Sequence, residues 1–393
     1  MTTRSGLVQP LDRADLVVVG AGIVGLAHAV AAADRGLSVI VVERDERAVG
    51  ASVRNFGHGC FTVQDGDALR FAARSRLPWT RLARSAGFWL RECGTVVVAR
   101  SIDEIAVLED LRADRGDDVV MLGASEVKTR VPTSASITGG AWLPADIRID
   151  PRAAVVRIGH WLAQRGIHFY WNTTMQSVDA DGVDTSRGRI EARNVVVAVA
   201  VGHDVDRHFP DVAAAAGLRR CTLHMLHTTN PVDAAIVPAV LTGWSMLRYD
   251  GFRVSAALDD VRARLLHEVP DGVAWGLNLM FTQRPDGGLT IGDTHAYART
   301  PGPFQSEDRD DLVLDQLARL LGTKRPRVRE RWQGVYASAD EPFLVAAPEP
   351  NVRIVSVTSG VGMTTAFGLA DEVLDGLASD RSTAIHDSQP SRR

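Results

Sequence analysis

Gly20, Gly22 and Gly25 stand at G-x-G-x-x-G spacing, directly after a short strand expected at 15–19 and at the head of a helical stretch, 23–35. The chemistry open to such a turn is phosphate binding. The first glycine permits the tight turn, the second lets a pyrophosphate approach the backbone, and the third lets helix and strand pack closely. The anion then meets backbone N–H groups and the positive end of the helix dipole. Residues 38–43 read as a second strand, which completes a βαβ unit of about 30 residues. Glu43 closes that strand, eighteen residues after Gly25. A carboxylate there accepts a hydrogen bond from a ribose 2′-hydroxyl and disfavours a 2′-phosphate. The pattern predicts a bound dinucleotide, without separating FAD from NAD.

The rest of the chain must position this unit. Residues 151–166 read as an amphipathic helix, with Val155, Val156, Ile158, Trp161 and Leu162 near helical spacing. Short strands follow at 167–171, 175–180, 182–186 and 189–191, and 194–201 is a continuous apolar run suited to a buried strand. From about 206 to 330 the texture is aromatic-rich, with strands expected near 220–228, 244–255, 274–284 and 288–293 and a helix over 307–321. A last strand at 353–358, a glycine turn at 359–362 and a helix over 363–376 close the pattern. Residues 1–13 read as a loose leader and 378–393 as a polar tail.

Bulk properties narrow the class. At 393 residues two domains are the prior, and 45% hydrophobic with 23% charged residues is ordinary for a soluble enzyme. A net charge of −4 gives no basic footprint for nucleic acid. Cys60, Cys93 and Cys221 are an odd, scattered set, which reads as neither disulfide framework nor metal site and fits a reducing, cytoplasmic setting. The apolar run 16–33 is broken by glycines and preceded by Asp15, so neither a signal peptide nor a membrane span is expected.

Three further segments carry a resemblance. They are 50–59 (Gly-Ala-Ser-Val-Arg-Asn-Phe-Gly-His-Gly), the strand end at 196–202, and 355–365 around Ser359-Gly360-Val361-Gly362. With the glycine motif they resemble, over nearly the whole chain, the D-amino-acid oxidase and sarcosine oxidase superfamily of flavoenzymes. The resemblance implies an α/β fold, in which a Rossmann-like FAD-binding domain (14–85, 141–205, 331–378) is interleaved with a β-sheet-rich α+β substrate domain (86–140, 206–330), followed by a flexible tail (379–393). It implies FAD held through Gly20, Gly22, Ile23, Val24, Gly25, Glu43, Arg44, Ala51, Ser52, Arg54, Asn55, Val178, Ala198, Gly202, Trp332, Gly360, Gly362, Met363 and Thr364. The strings 51–57, 290–295, 331–336 and 362–368 resemble, more narrowly, a bacterial subgroup associated with aminophosphonate metabolism. That likeness implies 2-aminoethylphosphonate or its N-methyl form as substrate. Sarcosine oxidases attach FAD through a cysteine before a late tyrosine; here that stretch is Gln333-Gly334-Val335-Tyr336, so FAD is expected to be non-covalent. They also carry a lysine where this chain has Thr290, so either oxygen or another acceptor is expected to take the electrons.

Candidate residues for the reaction are His295, His58, Arg248, Tyr249 and Asn55. Arg54 and Asn55 either face flavin and substrate or tie their loop to backbone carbonyls. His58 is poised to titrate or is structural. Arg248 offers parallel donors to a substrate carboxylate or phosphonate, or forms a surface ion pair. Asp293 and His295 alternate along a strand and so share a face. The expected partner is a small zwitterionic amine, oxidised by hydride transfer to flavin N5 to an imine that hydrolyses. A 2-hydroxy acid dehydrogenase and an amine-oxidising tailoring enzyme are the rival readings.

Overall fold

A computed structural model describes residues 10–197 and 205–387. Its first sheet is parallel at the centre, in the order His168–Tyr170, Val39–Val42, Asp12–Val19, Gly188–Val197, Val352–Val357. Val17, Val18, Val39, Ile40, Val41, Val195 and Val196 are all buried, as continuous apolar strands covered on both faces require. Phe343–Glu349 adds antiparallel to Val352–Val357, and the hairpin Met175–Asp179/Gly182–Thr185 adds to the start of Gly188–Val197. The described part of the run expected at 194–201 is therefore the end of one long strand, Gly188–Val197.

Helix Ile23–Asp34 lies on this sheet and is buried over ten consecutive residues, Ile23 to Ala32. Its alanines let the C-terminal helix, Gly362–Asp387, pack close, and Arg35 ties the two together through Asp371 (3.0 Å) and Asp375 (2.8 Å). Helix Gly66–Ala86 covers the other flank. Its buried Trp79 donates Nε1–H to the Met363 carbonyl (2.7 Å), and Ser75 Oγ accepts from Gly368 N (3.0 Å). These bonds fix the entry of the last helix beside the first glycine turn. That helix runs on to Asp387, so the stretch expected as a tail from 379 is helical as far as it is described.

The second sheet has eight strands, in the order Val328–Ser338, Arg219–Thr228, Leu289–Ala298, Met280–Gln283, Ala239–Thr242, Thr95–Ala99, Gly139–Leu143, Val120–Gly123. Helices Ile102–Arg115, Leu258–Glu268 and Glu307–Leu321 give it a core through Leu108, Leu111, Val261, Leu265, Val313 and Leu317. Strand Val328–Ser338 pairs here with Arg219–Thr228, across the boundary expected at 331; the chain rejoins the first sheet at Phe343–Glu349. The strand expected at 244–255 is instead a helical turn, Gly243–Met246, and a 3-10 turn, Asp250–Val254. A reciprocal Thr242/Ser245 capping box starts the helix, and Thr242 Oγ1 and Ser245 Oγ both donate to the Leu279 carbonyl. A small third sheet joins His58–Gly59, Ile147–Ile149 and Leu90–Arg91. No helix among the described residues is long and apolar enough to cross a membrane.

Candidate active site

Two clefts meet where the sheets face each other. The outer one, about 1610 Å³ with its mouth, is lined by Gly20, Gly22, Glu43, Arg44, Ala51, Ser52, Arg54, Thr173, Thr174, Met175, Arg207 and His208 among others. The inner one, about 1000 Å³, runs from Ile23 and Val24 past Ala51–Phe56 to Arg248, Asp293 and His295, with Gly360–Thr364 along one wall. Ala51, Ser52, Arg54 and Val335 line both, so the clefts form one elongated site.

The glycine turn is built for close approach. A Cβ on Gly25 would sit 1.9 Å from the Gly20 carbonyl oxygen and 3.2 Å from Val18 Cγ1, so only glycine lets helix and strand meet. The helix opens at Gly22 with no side-chain cap and no acidic residue in its first turn. Ser52 Oγ accepts from Ile23 N (2.9 Å), bringing the 51–55 segment against the helix start. Glu43 Oε2 accepts from Ala21 N (2.7 Å) and Oε1 from Asp45 N (3.1 Å), so the carboxylate that closes the second strand also fastens the turn. At the far end Gly360 (φ 82°) lies against the Tyr336 ring, 2.8 Å from where its Cβ would be. A helix start with no side-chain cap from its own Gly22, an acid beside it and a second glycine turn on the same elongated cleft fit a flavin dinucleotide.

The inner cleft holds a connected polar group. His295 Nδ1 bonds the Gly276 carbonyl (2.8 Å), so Nδ1 carries the hydrogen and Nε2 the lone pair. Arg248 Nε–H donates to that lone pair (3.1 Å), and Arg248 Nη2 donates to Tyr336 Oη and the Ser359 carbonyl (both 2.9 Å). Burial, with the Arg248 charge beside it, holds His295 down at about 3. His295 is therefore a neutral acceptor in this group. Asp293, on the same strand, is 2% exposed; its Oδ1 has no hydrogen-bond partner among the described residues, and its Oδ2 lies 3.9 Å from His295 Nε2. Burial raises it to about 7, and Arg248 and the Asn278 side chain offset only part of that. Tyr249 lines the cleft with its hydroxyl 3.4 Å from Met280 Sδ, and burial pushes it well above the usual tyrosine range.

His58 lies on the wall, with Nε2 2.6 Å from Thr95 Oγ1 and 3.5 Å from Asp146 Oδ2. Asp146 Oδ1 accepts from Phe61 N (2.8 Å), Thr62 N (3.1 Å) and Thr62 Oγ1 (3.2 Å). Cys60 joins this buried cluster, its thiol pushed up by burial and then by Asp146.

Several expected roles change. Asn55 uses both ends of its side chain internally: Nδ2 donates to the Ala51 and Ser52 carbonyls, and Oδ1 accepts from Gly57 N. It staples the loop, with its amide group engaged there. Val178 packs into the first sheet's core, and Thr173–Met175 line the cleft in its place, because the hairpin strand starts at Met175 and carries Val178 away. Trp332 stands outside both clefts, donating Nε1–H to the Arg54 carbonyl (3.1 Å) under the Arg152 guanidinium; Gly334–Tyr336 line the inner cleft further along its strand. Ala198 and Gly202 lie outside the described residues. Sequence reading missed Asn278, Met280, Asp146, Thr173, Thr174, Arg207 and His208; none carries a local motif.

The signature of the family of FAD dependent oxidoreductases called DAO matches residues 15–375. The chain belongs to that family. Its cofactor is FAD, and its fold is the family's pairing of a Rossmann-like domain with a β-rich one. A D-amino acid dehydrogenase of Paramagnetospirillum magneticum (strain ATCC 700264 / AMB-1) is 26% identical over 260 residues, 63% of this chain and 52% of its own. The match thus spans about half the length of that relative. Among solved structures, L-proline dehydrogenase from P. horikoshii superposes with a TM-score of 0.75 at 19% identity, covering 94% of both chains. Glycine oxidase from Geobacillus kaustophilus gives 0.74 at 18%, covering 94% of this chain and 95% of its own. At these identities the two structures speak for the DAO fold.

Proposed function

We propose that this DAO member oxidises a small amine that also bears an anionic group, breaking the C–H bond beside nitrogen. The observation that carries this is Arg248. Three partners fix its guanidinium through Nε and Nη2, while Nη1 has no partner among the described residues and is left for a ligand on the cleft wall. A guanidinium so held suits a carboxylate or phosphonate oxygen, and its position is set before the ligand arrives.

The residues that would hold FAD are Gly20–Val24 and Ser52 at the pyrophosphate, Glu43 and Arg44 at the adenosine ribose, and Ala51–Arg54 with Gly360–Thr364 along the ring. No covalent attachment is proposed. Bound FAD supplies the two-electron acceptor for the C–H bond, and dioxygen or another acceptor takes the electrons on. The protein's part is position, desolvation and charge. Arg248 anchors the anionic end, Leu223, Met280 and Phe56 exclude water, and the oxidised product hydrolyses to a carbonyl compound and an amine. The relatives whose names concern amino acids support an amine donor, and the strings 51–57 and 290–295 support 2-aminoethylphosphonate or its N-methyl form within that class.

The test is anaerobic mixing of the FAD-loaded protein with 2-aminoethylphosphonate, its N-methyl form, glycine, D-alanine and L-proline, beside lactate and glycolate. Bleaching of the flavin band by an amine is expected. Bleaching by the hydroxy acids alone, or by none of the amines, overturns the reading.

A further inference from the structure

The inner cleft presents two opposite charges that form no direct ion pair among the described residues. Arg248 sends its bonded N–H groups to His295, Tyr336 and the Ser359 carbonyl, and no Arg248–Asp293 ion pair occurs among the described residues. Asp293 stands on strand Leu289–Ala298 with Oδ1 unpartnered and nearly all its surface removed from water. A buried carboxyl with an unpaired oxygen is costly unless a donor meets it. A cation and an acid on one wall, each with a free hydrogen-bonding atom, match a zwitterion laid between them.

We infer that Asp293 is the receptor of the substrate's ammonium group and the base that takes its proton before oxidation. The inference rests on the amine reading above and names the group that selects the amine. One ammonium N–H bond breaks, an O–H bond forms at the Asp293 carboxylate, and the electron pair stays on nitrogen, which can then stabilise the cationic carbon as hydride leaves. The proton returns to water when product departs. Asp293 is a catalytic residue in this account, whereas His295 positions Arg248.

The ionisable groups facing Asp293 are few. Arg248 and Tyr249 come from the segment after Gly243–Met246, Cys221 from strand Arg219–Thr228, and His295 from its own strand. His224, across the strand pair, turns its ring away to Asp310 (3.4 Å). Burial pushes Tyr249 and Cys221 up, Cys221 to about 11, while His295 stays near 3. Of these groups, Asp293 alone changes charge around neutrality.

Two ligands of one shape isolate the charge: glycine betaine, and 3,3-dimethylbutyrate, its uncharged-head isostere. Their Kd values are read from perturbation of the flavin spectrum, which needs no turnover. At pH 8.5 the wild-type protein should prefer betaine by about tenfold or more, and at pH 5.5 that preference should vanish. Asp293→Asn should show no preference at either pH. In anaerobic reduction by an amine substrate, the wild-type rate should rise through about pH 7, and Asp293→Asn should lose that rise. A preference that is absent at pH 8.5, or equal at both pH values, overturns the inference on wild-type protein alone, whatever the variant's stability. Bleaching by an amine with the ligand preference unchanged in Asp293→Asn leaves the amine reading standing and removes Asp293 from it. Failure of every amine to bleach the flavin, with the betaine preference intact, overturns the amine reading and the base role with it, and leaves Asp293 only as a carboxylate that binds a cationic head.

Discussion

Replacing His295 by leucine tests whether this residue acts through Arg248 or on the reacting atoms. In the structure its Nε2 is the acceptor for Arg248 Nε–H at 3.1 Å, and the Gly276 carbonyl fixes the tautomer that makes this possible. Leucine removes the acceptor and leaves a charged N–H facing an apolar side chain. An unsatisfied donor of this kind costs about 1–3 kcal/mol, which corresponds to roughly 5- to 150-fold in the affinity of whatever Arg248 anchors. The loss should fall on KM for the amine and on Kd for 3,3-dimethylbutyrate rather than on kcat. Glutamine, whose amide oxygen can accept the same bond, should recover most of it. Since burial holds His295 near 3, neither variant should alter the pH profile above pH 5. A leucine variant with unchanged KM and collapsed kcat, or a shifted pH profile, would refute the positioning role and return His295 to the chemistry.

Three further outcomes follow from the same geometry. Gly25→Ala places a methyl group 1.9 Å from the Gly20 carbonyl oxygen, so the helix must retreat from the turn; FAD affinity, titrated by flavin fluorescence, should fall by roughly 5- to 150-fold, the equivalent of about 1–3 kcal/mol. Trp79→Phe deletes the bond to the Met363 carbonyl at the entry of the last helix and should lower unfolding free energy by about 1–3 kcal/mol in a denaturant titration. His28 is buried and held neutral at about 4, below its ordinary 6.5, chiefly by burial. The unfolded chain therefore binds the extra proton first, and stability should drain away as pH falls from 6.5 towards 4, by up to about 3 kcal/mol. His28→Leu should flatten that acid limb in thermal melts between pH 4 and 7.

What could be read without coordinates was what is local. The glycine spacing, the Glu43 strand end and the helix Glu307–Leu321 are set by residues close in sequence, and each appears where its pattern places it. Arg248 and His295 were named from side-chain type and strand alternation, and they do meet. Their relation was not visible: which nitrogen carries the hydrogen depends on the Gly276 carbonyl, brought in by a turn nineteen residues away. The stretch around Trp244, Met246 and Phe252 misled because a short apolar run has no decisive period, and Thr242 with Ser245 turned it into a helix. Val178 and Trp332 were carried over by position within a strand, where a small difference in where the strand begins moves a side chain out of the cleft. Asp146 and Asp293 acquire meaning only through burial, which no spacing reports.

The two sheets share an awkward genealogy. One joins Asp12–Val19 to Val352–Val357, and the other joins Thr95–Ala99 to Val328–Ser338, so neither can close until most of the polypeptide has left the ribosome. Domain-by-domain maturation during synthesis, the usual route for long chains, is closed to this one. The turn at Gly360–Thr364 is among the last parts of the cleft to emerge, which makes flavin capture a late event in biogenesis. Flavin bound to this protein thus counts finished molecules, and a nascent or prematurely terminated chain must wait, or be protected, with both hydrophobic interiors open.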